Sequence, residues 1–236
     1  MNRQILCALD TADVDEAVKT TRRLASYVGG FKIGHALTLS HGLDIVDRLR
    51  DAGAARIFLD LKFHDIPNSV ALAVCEAAKR GVWMMTLHIT GGTAMLTAAA
   101  EQAGEFPEDE RPLLIGVSVL TSLDESTLQN EIGVGRGLEE QMVALSQMAM
   151  ACELDGVVCS PHEVALLRKT LGSRALLVTP GIRLAGGEIH DQARSGDPSK
   201  ALADGASYLV IGRALSHSVE PEKLIESIHM PHSSRA

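Results

Sequence analysis

Short apolar runs of strand length alternate with longer amphipathic segments along most of this chain. The first run, residues 5–9, is followed by residues 11–28, whose apolar positions recur at helical spacing. Seven further apolar runs follow at residues 31–33, 55–61, 83–89, 113–120, 156–159, 175–179 and 207–211. Because strands that alternate with helices usually pair in parallel, this pattern indicates repeated βαβ units.

Eight such units in 236 residues predict an α/β fold, a (β/α)8 TIM barrel with residues 1–236 as a single domain. Helices are also expected at residues 36–52, at residues 124–130, and after Ser160-Pro161, which would supply a cap and a first-turn proline. A doubly wound open sheet is the alternative architecture. It is disfavoured because no Gly-x-Gly-x-x-Gly motif follows the first strand.

Composition fits a barrel and narrows the class of function. Hydrophobic residues make up 46% of the chain and aromatic residues only 3%, so aliphatic side chains must fill the core. The net charge of −8 argues against general binding of nucleic acid or of anionic membranes. The four cysteines lack the spacing of a disulfide framework or a zinc site. The first residues lead into a strand rather than a signal peptide, no run could span a membrane, and we expect a cytoplasmic protein.

Charged residues stand at the end of the third apolar run. Asp60 and Lys62 alternate with apolar neighbours, so both side chains are expected on one side of the strand. Charges in such a place are costly unless they face a polar cavity. Asp65 follows, and Pro67 suits the first position of a helix. The alternative interpretation is a structural ion pair that closes the strand.

Other strands also end in polar residues, and in a barrel these ends converge on one face. Each has an ordinary explanation: Asp10 could cap a helix, Lys32 could reach solvent, and Thr121 could start a turn. Gly212 and Arg213 follow the last strand, where such barrels commonly bind phosphate. Residues 180–198 form a long glycine-containing loop that is predicted to be a lid, the alternative being a surface loop without function.

The segment Asp-Leu-Lys-Phe-His-Asp-Ile-Pro-Asn, residues 60–68, resembles the signature of the orotidine 5'-phosphate decarboxylase family. Further matching segments extend from Leu9-Asp10 to Ile211-Gly212-Arg213, nearly the whole chain. The resemblance implies a carboxy-lyase that converts orotidine 5'-phosphate to UMP and CO2, the last step of de novo pyrimidine biosynthesis, with no cofactor and no metal. For His64 we expect a structural role.

The resemblance also implies residue roles. Lys32, Asp60, Lys62 and Asp65 correspond to an alternating charged catalytic network, and Asp10 and Lys32 to groups that hold the ribose hydroxyls. The remaining matches assign Thr121 to the pyrimidine ring, Pro180 to substrate binding, and Arg183, Gln192, Gly212 and Arg213 to the phosphate. Asp65 and Ser69 correspond to residues that cross a twofold interface into the partner's site, which implies a homodimer.

The sequence leaves two alternative functions open. Metal-dependent 3-keto-gulonate-6-phosphate decarboxylase and hexulose-phosphate synthase share Asp-x-Lys-x-x-Asp, but they carry an acidic residue on the second strand to hold magnesium. This chain has Lys32 there, a cation unsuited to binding a metal ion. The other alternative, a barrel that binds a nucleotide without catalysis, would not need Asp60 beside a substrate carboxylate.

Overall fold

The computed structural model describes residues 2–182 and 196–229, and it shows a closed barrel of eight parallel strands. The strands are β1 Asn2–Leu9, β2 Val28–Ile33, β3 Ile57–Phe63, β4 Met84–His88, β5 Leu113–Val117, β6 Gly156–Val158, β7 Leu176–Thr179 and β8 Tyr208–Ile211. Each strand pairs with the next in sequence, and β8 pairs with β1. The predicted (β/α)8 barrel is therefore confirmed.

Helices connect the strands around the outside of the barrel. They are α1 Val14–Leu24, α2 His35–His41, α3 Asp44–Asp51, α4 Pro67–Lys79, α5 Thr93–Gly104, α6 Glu125–Asn130, α7 Leu138–Ala151, α8 Val164–Leu171, α9 Pro198–Ala203, α10 Arg213–Ser216 and α11 Pro221–His229. Pro67 occupies the first turn of α4, as expected, and the short helix expected at residues 124–130 is α6, which Asp124 caps. No helix within the described ranges is long and apolar enough to cross a membrane.

The strands bury two sets of side chains because successive residues point to opposite faces. One set packs between the strands and the helices and includes Ile57 and Leu59. The other set fills the inside of the barrel with Leu6, Ala8, Phe58, Met84, Ile115, Val178 and Val210. On β3, Asp60 follows Phe58 at a spacing of two, which places its carboxylate at the top of this apolar interior.

Several boundaries differ from the sequence-based expectations. The helix expected at residues 36–52 is two helices, because Gly42 adopts a φ of 64° and ends α2. Strand β2 begins at Val28, which was expected to end the first helix. The helix after β6 begins at Val164 rather than at Ser160-Pro161, where the Ser160 backbone amide donates instead to Glu163 Oε2 at 2.7 Å.

The four cysteines are unpaired thiols. Cys7, Cys152 and Cys159 are buried, while Cys75 is only partly buried. Burial raises the pKa of the Cys7 and Cys159 thiols to about 12. Both thiols are therefore held in the unreactive protonated form in the folded protein.

Candidate active site

A chain of alternating charges crosses the carboxyl ends of β1, β2 and β3. Lys62 Nζ lies 2.9 Å from Asp60 Oδ1, and Lys32 Nζ lies 3.6 Å from Asp60 Oδ2. Lys32 Nζ also lies 3.2 Å from Asp10 Oδ1. The side chains of Asp60 and Lys32 are 16% and 13% exposed, against 57% for Asp10. The array therefore runs from solvent into the barrel, with Asp60 shared by two ammonium groups.

The strand register explains why Lys32 points inward. Lys32 is aligned with Ala8 of β1 and with Phe58 of β3, both of which belong to the barrel interior. Its ammonium group then rises from that layer to the two carboxylates above it. The alternative interpretation, in which Lys32 reaches bulk solvent, is therefore disfavoured, because its side chain is largely buried and paired at its end.

Asp60 is ionised in this environment. Burial of the carboxyl would on its own raise the pKa of Asp60, but the Lys32 and Lys62 charges oppose that effect. Hydrogen bonds from Lys62 and Thr86 add to them, and the pKa of Asp60 lies below its ordinary value. The site thus holds a fixed negative charge between two cations at neutral pH.

An irregularity in β3 sets the position of Lys62. Leu59 pairs with Met85 and Phe63 with Leu87, so four steps along β3 match only two along β4. Within this bulge Lys62 has a φ of 52°, a left-handed conformation that is uncommon for a residue with a side chain. Bulges of this kind re-aim side chains beside active sites, and here the ammonium group turns back onto Asp60.

Asp10 does not cap the first helix. That cap is Asp13, whose Oδ1 accepts from the backbone amides of Asp15 at 2.8 Å and Glu16 at 3.2 Å. Asp10 instead pairs with Lys32 beside Gly212, where an added Cβ would lie 3.3 Å from Asp10 Oδ2. The ends of β1, β2 and β8 therefore meet at one point, as expected for residues on a shared face.

Two histidines lie beside the charge array. His88 ends β4 and is half-buried, and its ring centroid lies 5.3 Å from that of the exposed His64. Burial lowers the pKa of His88, the neighbouring His64 and Lys62 lower it further, and Asp60 opposes them. His88 is thus neutral at pH 7. The sequence analysis did not single out His88. It lies four residues after Met84 and two after Thr86 on β4, and the side chain of Met84 belongs to the barrel interior. The alternation of side chains along a strand therefore predicts that His88 points to the same face.

Neither Asp65 nor Ser69 makes an ion pair or hydrogen bond with Lys62 among the described residues. The exposed Asp65 carboxylate accepts a hydrogen bond from the Ile66 amide at 2.6 Å, and no ion pair joins it to Lys62 within the described residues. Ser69 is partly buried in the first turn of α4. Asp65 therefore does not complete the charge array within its own chain, despite lying three residues from Lys62.

The residues expected to bind the base and phosphate lie at the other strand ends. Thr121 and Pro180 are partly buried after β5 and β7, and Arg213 is exposed at the start of α10. Gly196 donates a backbone hydrogen bond to Gly181 at 3.1 Å. Arg183 and Gln192 lie outside the described residues. The roles of all six expected ligands, including that of Gly212, stay predictions.

Thr86 is a second residue of the site that the sequence analysis missed. Its side chain is fully buried on β4, and its hydroxyl lies 2.9 Å from both Asp60 Oδ1 and the Lys62 backbone nitrogen. Among the described residues, no group of three or more His, Cys, Asp or Glu side chains is placed to hold a metal ion.

Comparison with known proteins finds the family that the sequence resembles, over nearly the whole chain. Residues 3–228 match the model of the orotidine 5'-phosphate decarboxylase / HUMPS family. Orotidine 5'-phosphate decarboxylase of Syntrophotalea carbinolica is 45% identical over 93% of this chain and 90% of its own length. For that of Actinobacillus succinogenes the identity is 42%, over 97% of both chains.

A solved structure agrees with these relatives. The crystal structure of orotidine 5'-phosphate decarboxylase from Lactobacillus acidophilus superposes with a TM-score of 0.81 at 33% identity. The match covers 96% of this chain and 97% of that one. The chain therefore belongs to the orotidine 5'-phosphate decarboxylase / HUMPS family.

Proposed function

We propose that this protein decarboxylates orotidine 5'-phosphate to UMP and CO2 without a cofactor, as the last step of de novo pyrimidine biosynthesis. The observation that carries the proposal is the Lys32–Asp60–Lys62 array at the carboxyl ends of β2 and β3. It stands in a chain that is 45% identical to a relative named for this activity. Catalytic groups of barrels of this kind lie on that face.

Lys62 is proposed to stabilise the product of bond cleavage. When the carbon–carbon bond to the carboxylate breaks, CO2 leaves and the electron pair remains on the ring carbon. The Lys62 ammonium group offsets that charge and then delivers a proton to the same carbon. The resulting neutral amine regains its proton from solvent. The contact with Asp60 at 2.9 Å supports this role, because it holds the ammonium in one place before substrate enters.

Asp60 is proposed to face the departing carboxylate. Its depressed pKa keeps it charged, so it disfavours a second carboxylate beside it until CO2 has left. A barrel that only bound a nucleotide would lose affinity through such a charge and gain nothing. Binding energy from the phosphate, far from the reacting carbon, would offset the repulsion.

The other proposed contacts are those to the ribose, the pyrimidine ring and the phosphate. Asp10 and Lys32 are proposed to hold the ribose hydroxyls, and their 3.2 Å pair at the mouth of the site supports this. Thr121 and Pro180 would contact the pyrimidine ring. The phosphate would be bound by Gly212 and Arg213 after β8 and by Arg183 and Gln192. Residues 180–198, of which 183–195 lie outside the described residues, are proposed to act as a lid.

We further propose a cytoplasmic homodimer in which Asp65 and Ser69 reach the partner's site. Asp65 is exposed and separate from its own Lys62, which suits a residue that serves another chain. Two large apolar side chains on the same segment, Ile66 and Leu72, are 66% and 56% exposed. Exposed apolar side chains beside a polar functional residue are typical of a subunit interface.

The metal-dependent members of the superfamily remain the nearest alternative. Lys32 disfavours them because its ammonium occupies the space between Asp10 and Asp60, where a magnesium ion would need oxygen ligands. The test is to incubate EDTA-treated, dialysed protein with orotidine 5'-phosphate and to follow the pyrimidine absorbance. Turnover should survive chelation. No turnover, or turnover only after magnesium is restored, would overturn the assignment.

A further inference from the structure

The hydroxyl of Thr86 closes a ring of hydrogen bonds around the β3 bulge. The Lys62 backbone amide donates to Thr86 Oγ1 at 2.9 Å, and Thr86 Oγ1 donates to Asp60 Oδ1 at 2.9 Å. Asp60 Oδ1 also accepts from Lys62 Nζ at 2.9 Å. One side chain from β4 thereby contacts both the backbone of the proposed proton donor and the carboxylate that holds its ammonium group.

The direction of each bond in this ring is fixed by chemistry. An amide N–H can only donate, so the Thr86 oxygen must accept from Lys62. The single hydroxyl hydrogen of Thr86 is then free for Asp60, whose ionised carboxylate can only accept. The ring is thus complete only when residue 86 offers one acceptor and one donor at the same position.

The bulge in β3 creates the need for the Thr86 hydroxyl as a hydrogen-bond partner of the backbone. Four steps on β3 oppose two on β4, so the regular ladder cannot satisfy every amide between Leu59 and Phe63. The left-handed conformation of Lys62 is strained for a residue with a side chain, and such residues persist where their surroundings hold them. Thr86 is fully buried, so water cannot replace its hydroxyl without rearrangement.

We propose that Thr86 is a positioning residue for decarboxylation, which orients Lys62 and Asp60 through one hydroxyl. The proposal rests on the function proposed above. The proposed role requires neither contact between Thr86 and the substrate nor a proton transfer to it. Its effect is to hold the ammonium and the carboxylate in their reactive positions, where displacements on the order of 1 Å cost roughly 100-fold in rate.

The test compares Thr86→Val, Thr86→Ser and Thr86→Ala with the parent protein. Valine keeps the shape and removes the hydroxyl, serine keeps the hydroxyl, and alanine removes it without any risk of overpacking. We expect kcat for orotidine 5'-phosphate to fall on the order of 10- to 100-fold in the valine and alanine variants. Serine should retain kcat within about threefold, and the Kd of UMP, which lacks the reacting carboxylate, should change little in all three.

Thr21→Val is the matched control. Thr21 is also a fully buried threonine, but it lies in α1 and its hydroxyl has no hydrogen-bond partner among the described residues. Its kcat should equal that of the parent. An unchanged kcat in Thr86→Val and Thr86→Ala would overturn the proposal, as would an equal loss in Thr86→Ser. Failure of the proposed function is a separate result, because the parent protein would then not turn over orotidine 5'-phosphate at all.

Discussion

At the scale of single residues, the site depends on one buried carboxylate that serves two cations. Asp60 contacts Lys62 through Oδ1 and Lys32 through Oδ2, so each oxygen has its own ammonium partner. The array is therefore not an isolated ion pair closing a strand, which the sequence alone left as an alternative. Its central carboxylate is shared between a lysine of β2 and a lysine of its own strand.

Arg213 supplies a residue-scale prediction about the phosphate. It is exposed at the start of α10, directly after Gly212, and has room to bind an incoming anion. Arg213→Ala should lower kcat/KM by at least about 100-fold, because charge-assisted hydrogen bonds contribute about 1.5–3 kcal/mol each. Steady-state kinetics with orotidine 5'-phosphate and with orotidine will measure the loss.

The orotidine measurement decides between two explanations for that loss. The defect should shrink when the substrate lacks the phosphate, whereas an equal defect with both substrates would mean that Arg213 is not a phosphate ligand. Arg22→Ala is the matched control, since Arg22 is an exposed arginine in the last turn of α1. It should leave both values unchanged.

The lowered pKa of His88 gives a second residue-scale prediction. His64→Gln removes a neighbouring ring whose electrostatic interaction lowers the pKa of His88. The variant should therefore move that pKa up toward its usual value, while burial keeps it below. Asp60→Asn removes the one opposing charge and should move it further down. NMR titration of the histidine rings measures both, with His88→Gln assigning the resonance. Shifts of the same sign in the two variants would contradict this account.

The lowered pKa of His88 also determines the direction in which folding stability changes with pH. The folded protein binds a proton at His88 less readily than the unfolded chain does, so protonation favours unfolding. The contribution of His88 to folding stability is therefore fully present above about pH 6.5, the usual histidine value, and is lost as the pH falls below it.

At the scale of elements, the alternation of apolar runs predicted the eight strands and their convergence, but not their irregularities. The sequence pattern placed Asp60 and Lys62 on one side of a regular strand, whereas the structure joins them through a bulge with Lys62 in a left-handed conformation. A two-residue period carries no information about a register shift, which depends on the neighbouring strand. The contribution of Thr86 from β4 was hidden for the same reason.

The predicted helix boundaries were wrong where the apolar spacing of the sequence conflicted with a local turn or with strand pairing. The apolar spacing continues from residue 36 to residue 52, yet Gly42 ends α2 and lets α3 start in a new direction. Val28 continued the apolar face of the first helix in the sequence, but it pairs with Asn2 in the barrel. Pairing between β1 and β2 is a long-range interaction that local propensity cannot anticipate.

Gly156 gives a prediction at the element scale. It pairs with Leu176 of β7, and a Cβ at position 156 would lie 2.0 Å from the Leu176 carbonyl oxygen. Gly156→Ala should therefore lower the free energy of unfolding by about 1–3 kcal/mol or more, since the clash is with backbone. A lower urea midpoint will report it. Gly104→Ala, at the open end of α5, should be neutral or stabilising, and equal losses in both variants would refute the packing argument.

At the scale of the whole molecule, the barrel brings four charged residues from three strands together but leaves Asp65 outside the array. Asp10, Lys32, Asp60 and Lys62 are joined by contacts of 2.9–3.6 Å. Asp65 turns to the Ile66 amide on the exposed side of the β3–α4 connection. The proposed twofold dimer would return it to the partner's array, so that Lys62 and Asp65 of one chain serve different sites.

Mixed dimers test this division between chains. Lys62→Ala and Asp65→Ala should each be nearly inactive as homodimers. In a mixed dimer one site receives both substitutions, while the other combines Lys62 from one chain with Asp65 from the other and is intact. Random exchange of equal amounts makes about half of the dimers mixed, so about a quarter of all sites should recover, given an isologous interface. Turnover is measured after the two variants are unfolded and refolded together.

The control refolds Lys62→Ala with the double variant Lys62→Ala/Asp65→Ala, a mixture in which no site regains Lys62. That mixture should stay inactive, which separates true complementation from recovery during refolding. Size-exclusion chromatography with a tagged chain verifies that mixed dimers form. If they form and the activity of the first mixture remains the sum of its two parents, Asp65 acts within its own chain. The exposed position of Asp65 beside Ile66 would then need another explanation.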